Sequence, residues 1–194
     1  MRILNLPIFI MLSLMVISCS LKNRTEAIKV VTQWQGKTLR FPTTYTCGKN
    51  GEDVANAVGD SLLHKEYKIL LFVDSAECTS CRFKPLEWER LMMEMDSISK
   101  NNVGFLYFFS PSDGQEKKEI QYMLHRYKMN YPVFFDEKWE MKSLNSLSDM
   151  VISQCFLLNK TNEVLLVGDP TLNPNVRLLY EQYVKELLKE GTKE

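Results

Sequence analysis

Cys78 and Cys81 stand three apart in "FVDSAECTSCRF", residues 72–83, at the end of an apolar run. Two thiols at this spacing can exchange a disulfide with a substrate, close a structural disulfide, or offer two soft ligands to zinc or copper. The spacing alone does not choose among these chemistries; the position of the pair in the fold does. At a strand-to-helix junction, the unpaired N–H groups and partial positive charge of the helix start stabilise a thiolate, drawing its pKa below about 8.5. Cys78, first and more exposed, is then the expected nucleophile. Cys81, one turn later, attacks the mixed disulfide and releases the product. The two sulfurs can also close a Cys78–Cys81 disulfide across that turn.

The surrounding pattern supplies such a junction. "YKILLFVD" (67–74) is a continuous apolar run, as expected of a central strand covered on both faces. From Thr79 the period becomes helical, with Phe83, Trp88, Leu91, Met92, Met95 and Ile98 on one stripe and Pro85 marking a kink or the end of the first turn. "VGFLYFFS" (103–110) is a second buried strand, and Ser112–Gln115 offers a capping box for a helix bearing Ile120, Met123, Leu124 and Tyr127. "YPVFFD" (131–136), "MVISQCFLLN" (150–159) and "EVLLVGD" (163–169) are further strands, the last two joined by a tight turn. Asn173-Pro174 opens a final helix. Ahead of all these, "IKVVTQW" and "TLRFP" around Gly36 read as a β-hairpin, residues 43–53 as a loop, and Asp53 as the cap of a short helix. The order β-α-β-α-β, then β-β-α, implies a three-layer α/β fold: a central mixed sheet flanked by helices, with an N-terminal hairpin extension.

Lys plus Arg (24) equals Asp plus Glu (24). No net field therefore favours nucleic acid or an anionic membrane face, and no phosphate loop or zinc-finger spacing appears. The first residues are a separate matter. Met1-Arg2 gives a positive start, Ile3 to Ile17 is almost unbroken apolar sequence, and "VISC" ends at Cys19. This is similar to the lipobox of bacterial lipoproteins, which implies a signal peptide over 1–18, lipid on Cys19, a polar tether over 19–27 and a folded domain over 28–194. An ordinary secretory signal or an uncleaved anchor helix are the alternatives. Export would place the remaining cysteines, Cys47, Cys78, Cys81 and Cys155, where disulfides persist.

"ILLFVDSAECTSCRFK" resembles the active-site strand and helix of thioredoxin-fold proteins, and the whole layout is similar to membrane-tethered periplasmic thioredoxin-like lipoproteins. The resemblance is carried at the site by Cys78, Thr79, Ser80 and Cys81. It implies a thiol–disulfide oxidoreductase with a redox-active Cys78–Cys81 pair, needing no cofactor or metal and acting on disulfides of exported proteins or a redox partner. It also implies lipid attachment, palmitate included, and an outer-membrane, periplasm-facing location. Where the family usually has Trp, this chain has Glu77. Where thioredoxins often carry a buried acid it has Phe72, and the cis-proline position falls at Ser153. The alternatives are a non-catalytic binding module that keeps the pair as a structural disulfide, and a soft-metal handling protein.

Other candidates carry two readings each. Glu77 either raises the nucleophile's pKa by charge repulsion or is a solvated loop carboxylate. Asp74 is a proton relay or a strand-end cap, and Cys155 a third exchanging thiol or a small core residue. Cys47 is a free loop thiol or a disulfide partner. His64 and His125 read as surface residues, and Met92, Met93 and Met95 as core and surface filler rather than a copper box.

Overall fold

The structure, a computed structural model, describes Thr25 and residues 28–75, 83–147 and 154–190. Residues 28–34 form a helix, α1, where a hairpin strand was expected. The β-branched run Val30-Val31-Thr32 favours a strand, but tertiary burial overrides it. Val30 and Trp34, four apart, are both buried, and Trp34 packs on Phe156 at 5.4 Å between ring centroids. Gly36, at φ 80°, terminates the helix in the left-handed conformation that glycine adopts freely. Among the described residues one bridge, Thr38 to Glu163, stands where the second strand was expected.

Residues read as a loop instead form a hairpin, β1 (Thr46–Lys49) and β2 (Glu52–Val54). Its two-residue turn is Asn50-Gly51, at φ 52° and 84°, the combination that a type I′ turn demands. Asp53 therefore lies in β2 and caps nothing. The following helix α2 (Ala57–Leu63) has Asn56 at its cap position, but its side chain makes no capping bond to the helix and donates instead to Tyr45 O at 2.9 Å.

The centre follows the apolar runs closely. β3 (Tyr67–Asp74) and β4 (Val103–Ser110) pair in parallel over their full lengths, and β5 (Val133–Phe135) continues the parallel set. β6 (Cys155–Leu158) runs antiparallel to β3, β7 (Val164–Val167) antiparallel to β6, and β1 antiparallel to β5. Among the described residues the sheet has seven strands in the order β2-β1-β5-β4-β3-β6-β7.

Alternation splits the apolar runs between two cores. Ile69, Leu71, Val73, Phe105, Tyr107 and Phe109 face helices α3 (Pro85–Ser99), α4 (Gly114–Arg126) and α6 (Pro174–Glu190). Leu70, Phe72, Leu106 and Phe108 face α1 and the short α5 (Glu140–Asn145). α3 begins at Pro85, with Lys84 at φ −101°, ψ 88°, outside the helical region. Pro85 thus takes the first helical position instead of kinking a helix interior. Trp88, Leu91 and Met95 form its buried stripe, Met92 is half-buried and Met93 exposed. α4 is capped by Asp113, whose carboxylate accepts from the N–H groups of Gln115 and Glu116.

Candidate dithiol site

Cys78 and Cys81, with Glu77, Thr79 and Ser80, lie outside the described residues, as do Ser153 and Cys19. What the structure gives is the frame that holds the two ends of their segment. The chain leaves the central strand at Asp74 and Ser75 and is described again from Phe83, two residues before α3 begins. Ser75 N–H donates to Ser110 O at 3.1 Å, fixing the exit of β3 against the end of β4. Phe83 is fully buried and meets Tyr107 and Phe109 edge-on, each with ring centroids 5.2 Å apart. The segment is therefore anchored on both sides within a strand-to-helix connection.

The antiparallel neighbour enters at the same end. Cys155 pairs with Leu71, and Phe72 N–H donates to Gln154 O at 2.8 Å. The chain thus joins β6 beside the point at which it leaves β3. Phe72 itself is fully buried in the core of the opposite face from α3.

Polar side chains collect at this end of the sheet. Asp74, 2% exposed, accepts from Lys142 Nζ of α5 at 2.9 Å. An ion pair replaces the simple strand-end cap. Asp136, fully buried just beyond β5, accepts from the N–H groups of Glu140 (3.0 Å) and Met141 (2.7 Å) and from Ser110 Oγ (3.3 Å). It caps α5 and so sets the height of Lys142. The Trp139 indole N–H donates to Pro111 O at 3.0 Å, tying the start of α5 to the end of β4. Asp169, just beyond β7, is 5% exposed. Lys142, Asp136 and Asp169 were not singled out from sequence. Their signal was present, since three apolar runs each end in aspartate: "YKILLFVD", "YPVFFD" and "EVLLVGD".

The remaining thiols are placed apart from one another. Cys47 lies in β1 rather than a loop, is fully buried and free, and has its pKa pushed up to about 11, chiefly by burial. Cys155 is fully buried in the core on the α3 face, its sulfur 4.0 Å from the Tyr180 hydroxyl. His64 and His125 are exposed. Among the described residues no cluster of three or more His, Cys, Asp or Glu is arranged to hold a metal ion, and no helix is long and apolar enough to cross a membrane.

No protein-family model matches the chain, and comparison with curated proteins finds no significant relative. Solved structures do match. A candidate protein disulfide isomerase from Bacteroides thetaiotaomicron is 17% identical, with TM-score 0.52 over 82% of this chain and 92% of the other. An uncharacterized thioredoxin-like protein from Porphyromonas gingivalis is also 17% identical, with TM-score 0.50 over 80% and 96%. A candidate electron transfer protein from Aquifex aeolicus is 11% identical, with TM-score 0.50 over 78% and 97%. At these identities what is shared is architecture. The mixed seven-stranded sheet between two helical layers is a thioredoxin-like fold.

Proposed function

We propose that this chain is a membrane-anchored thiol–disulfide oxidoreductase of exported proteins, with Cys78 as nucleophile and Cys81 as resolving thiol. The observation that carries the reading is the frame around residues 76–82. They connect the buried end of the central parallel strand to a helix that starts at Pro85, beside the entry to an antiparallel strand. α3 starts four residues past Cys81 and seven past Cys78. What supports the reading is therefore the place of the pair after the buried central strand rather than the terminus of that helix, whose field fades within one turn. Lipid on Cys19 after removal of residues 1–18, a tether to residue 27 and an outer-membrane, periplasmic location complete the proposal, supported by the "VISC" pattern.

The test is trapping. Cys81→Ser leaves Cys78 able to attack a substrate disulfide and unable to release it, so mixed disulfides accumulate on gels run without reductant. Cys78→Ser traps almost nothing. The adducts sediment with membranes when Cys19 is present and appear in the soluble fraction after Cys19→Ser. Equal trapping by both thiol variants would refute the assignment of roles. No adduct from either, with loss of thermal stability from both, would mark the pair as a structural disulfide.

A further inference from the structure

The equal totals of acidic and basic residues hide a separation of charge along the strands. The parallel set defines two ends of the sheet. At one end β3, β4 and β5 finish, and the chain passes from β3 into the cysteine segment; at the other the same three strands begin. The eight residues of β3, at about 3.3 Å each, set these ends about 25 Å apart.

Six turns meet at the far end, and each carries a lysine. Lys37 follows α1, Lys49 enters the β1–β2 turn, and Lys65, Lys100 and Lys128 precede β3, β4 and β5; Lys160 lies in the β6–β7 turn. Direct bonds hold these turns side by side. Lys65 Nζ donates to Asn101 O at 2.7 Å, Asn50 N–H to Met129 O at 3.1 Å and Gly36 N–H to Val164 O at 2.9 Å. The buried Lys68 ammonium joins Lys65 O to Lys160 O. The turns thus extend from the β1–β2 hairpin to the β6–β7 hairpin, the full width of the seven-stranded sheet, about 30 Å.

None of the six lysines, nor Arg126 beside Lys128, makes an ion pair among the described residues. Arg90, Lys117, Lys142, Arg177 and Lys185, which lie elsewhere, each hold a carboxylate. The carboxylates at the far end, Glu52, Glu66, Glu163 and Asp96, are fewer than its cations. Glu163 is also engaged by Asn159 Nδ2 at 3.1 Å. Helix C-termini attract cations, which accounts for Lys65, Lys100 and Arg126, but Lys49 and Lys160 lie at hairpin turns where no helix ends. The cysteine end has the opposite balance. Asp113, Glu116, Asp136, Glu137, Glu140 and Asp169 stand there against Lys84, Lys117 and Lys138, the Asp74–Lys142 pair being neutral.

Aromatic groups accompany the cations. Tyr127, between Arg126 and Lys128, is 45% exposed, and Tyr122, one turn back on α4, is 67% exposed. Rings with an apolar body and a polar tip suit the headgroup layer of a bilayer.

We propose that the basic end rests on an anionic lipid surface and so holds the cysteine end away from the membrane, toward exported substrates. This rests on the reading of the chain as membrane-anchored. A lipid on Cys19 keeps the domain near the bilayer but does not choose which end faces it; the charge separation supplies the direction. A broad end with one cation per turn matches a plane of headgroups better than a groove or a single-helix stripe would. Cation clusters of this size are drawn to anionic lipid within a Debye length, about 8 Å at physiological salt. The acidic end, about 25 Å away, lies beyond that range.

The experiment reconstitutes the full-length protein in nanodiscs of phosphatidylcholine, alone or with about 30% phosphatidylglycerol. Exposed lysines are acetylated with a water-soluble succinimidyl ester and read residue by residue by mass spectrometry. Acetylation of Lys37, Lys100, Lys128 and Lys160 should slow roughly fivefold or more on the anionic discs, while Lys84 and Lys138 react alike on both. Salt at about 0.5 M should remove the difference. Lys100→Glu/Lys128→Glu/Lys160→Glu should abolish the protection of Lys37, and Lys84→Glu/Lys138→Glu should keep it. Equal rates on the two discs, or protection of Lys84 and Lys138 instead, would overturn the proposal while leaving the anchor intact. Equal protection on neutral discs by added polyglutamate would make the partner an acidic protein and overturn the lipid assignment. A chain that co-elutes with neither disc would overturn the anchor and the proposal together.

Discussion

Lys68 offers the sharpest test of the packing, because it is a charge-bearing side chain with no exposed surface. It sits near the start of β3, at the opposite end from the dithiol connection, between Ile69 and Tyr67. Its ammonium donates to Lys65 O at 3.2 Å and Lys160 O at 3.1 Å. Burial dominates these two bonds to neutral carbonyls, and the pKa is pushed down to about 8. In the unfolded chain a lysine titrates near 10.4. Between about pH 8 and 10.4 the unfolded state therefore binds more protons than the folded one, so stability rises with pH across that window. The full rise is on the order of 3 kcal/mol, of which about 1 kcal/mol accrues between pH 7 and 9.

The total slope of the wild-type protein is not the observable, because Cys47 opposes it. A thiol held at about 11 when folded and titrating near 8.5 when unfolded loses stability as pH rises through the same range. The comparison with Lys68→Met cancels that contribution, since the variant keeps the apolar stem and Cys47 and loses only the ammonium. Urea unfolding at pH 7, 8 and 9 should show the stability difference moving by about 1 kcal/mol in favour of wild type between the ends. With a slope of about 2 kcal/mol/M this is a relative midpoint shift of roughly 0.5 M. Parallel pH dependences would refute the reasoning and mean that the two carbonyls hold the proton against burial.

Two further outcomes follow from named contacts. Cys47, fully buried with its pKa near 11, should resist iodoacetamide at pH 8 in the native protein and react on unfolding; a native rate within tenfold of the unfolded one would contradict its place in β1. Asp136→Ala removes the acceptor for the N–H groups of Glu140 and Met141 and for Ser110 Oγ, and should cost about 2–4 kcal/mol in urea unfolding; a loss under about 0.5 kcal/mol would show that α5 needs no cap.

The parts of the fold legible in sequence are those whose signal is local and long. "YKILLFVD" and "VGFLYFFS" became β3 and β4 residue for residue, because runs buried on both faces leave no other period to read. The first helix has no local signature, because seven residues rich in β-branched side chains look like a strand until Trp34 has Phe156 to pack on. The β1–β2 hairpin shows in sequence only as Asn50-Gly51, the dipeptide its turn requires; strands of four and three residues carry too little alternation to register. The site divides in the same way. A thiol pair at a strand end can be seen in a dozen residues. The ion pair at that end joins Asp74 to a lysine 68 positions later, and no local pattern announces it.

That distribution of charge bears on why the interior is built as it is. The buried polar residues Asp74, Ser110, Asp136, Gln154 and Asp169 all stand where β3, β4, β5 and β7 finish and β6 begins. An interior shaped for stability alone gains little from them. A buried ion pair is often no better than apolar residues of similar volume, and an unpaired carboxylate oxygen such as Asp169 Oδ2 is a net loss. The apolar runs reaching this end show that the sheet could have been closed with further valines and phenylalanines. What the polar groups add is position. Asp136 caps α5, α5 carries Lys142 to Asp74, and Asp74 is the last strand residue before the cysteine segment. Each link is a directional bond where apolar packing would tolerate sliding, as the proposed dithiol exchange would require of the segment that follows Asp74.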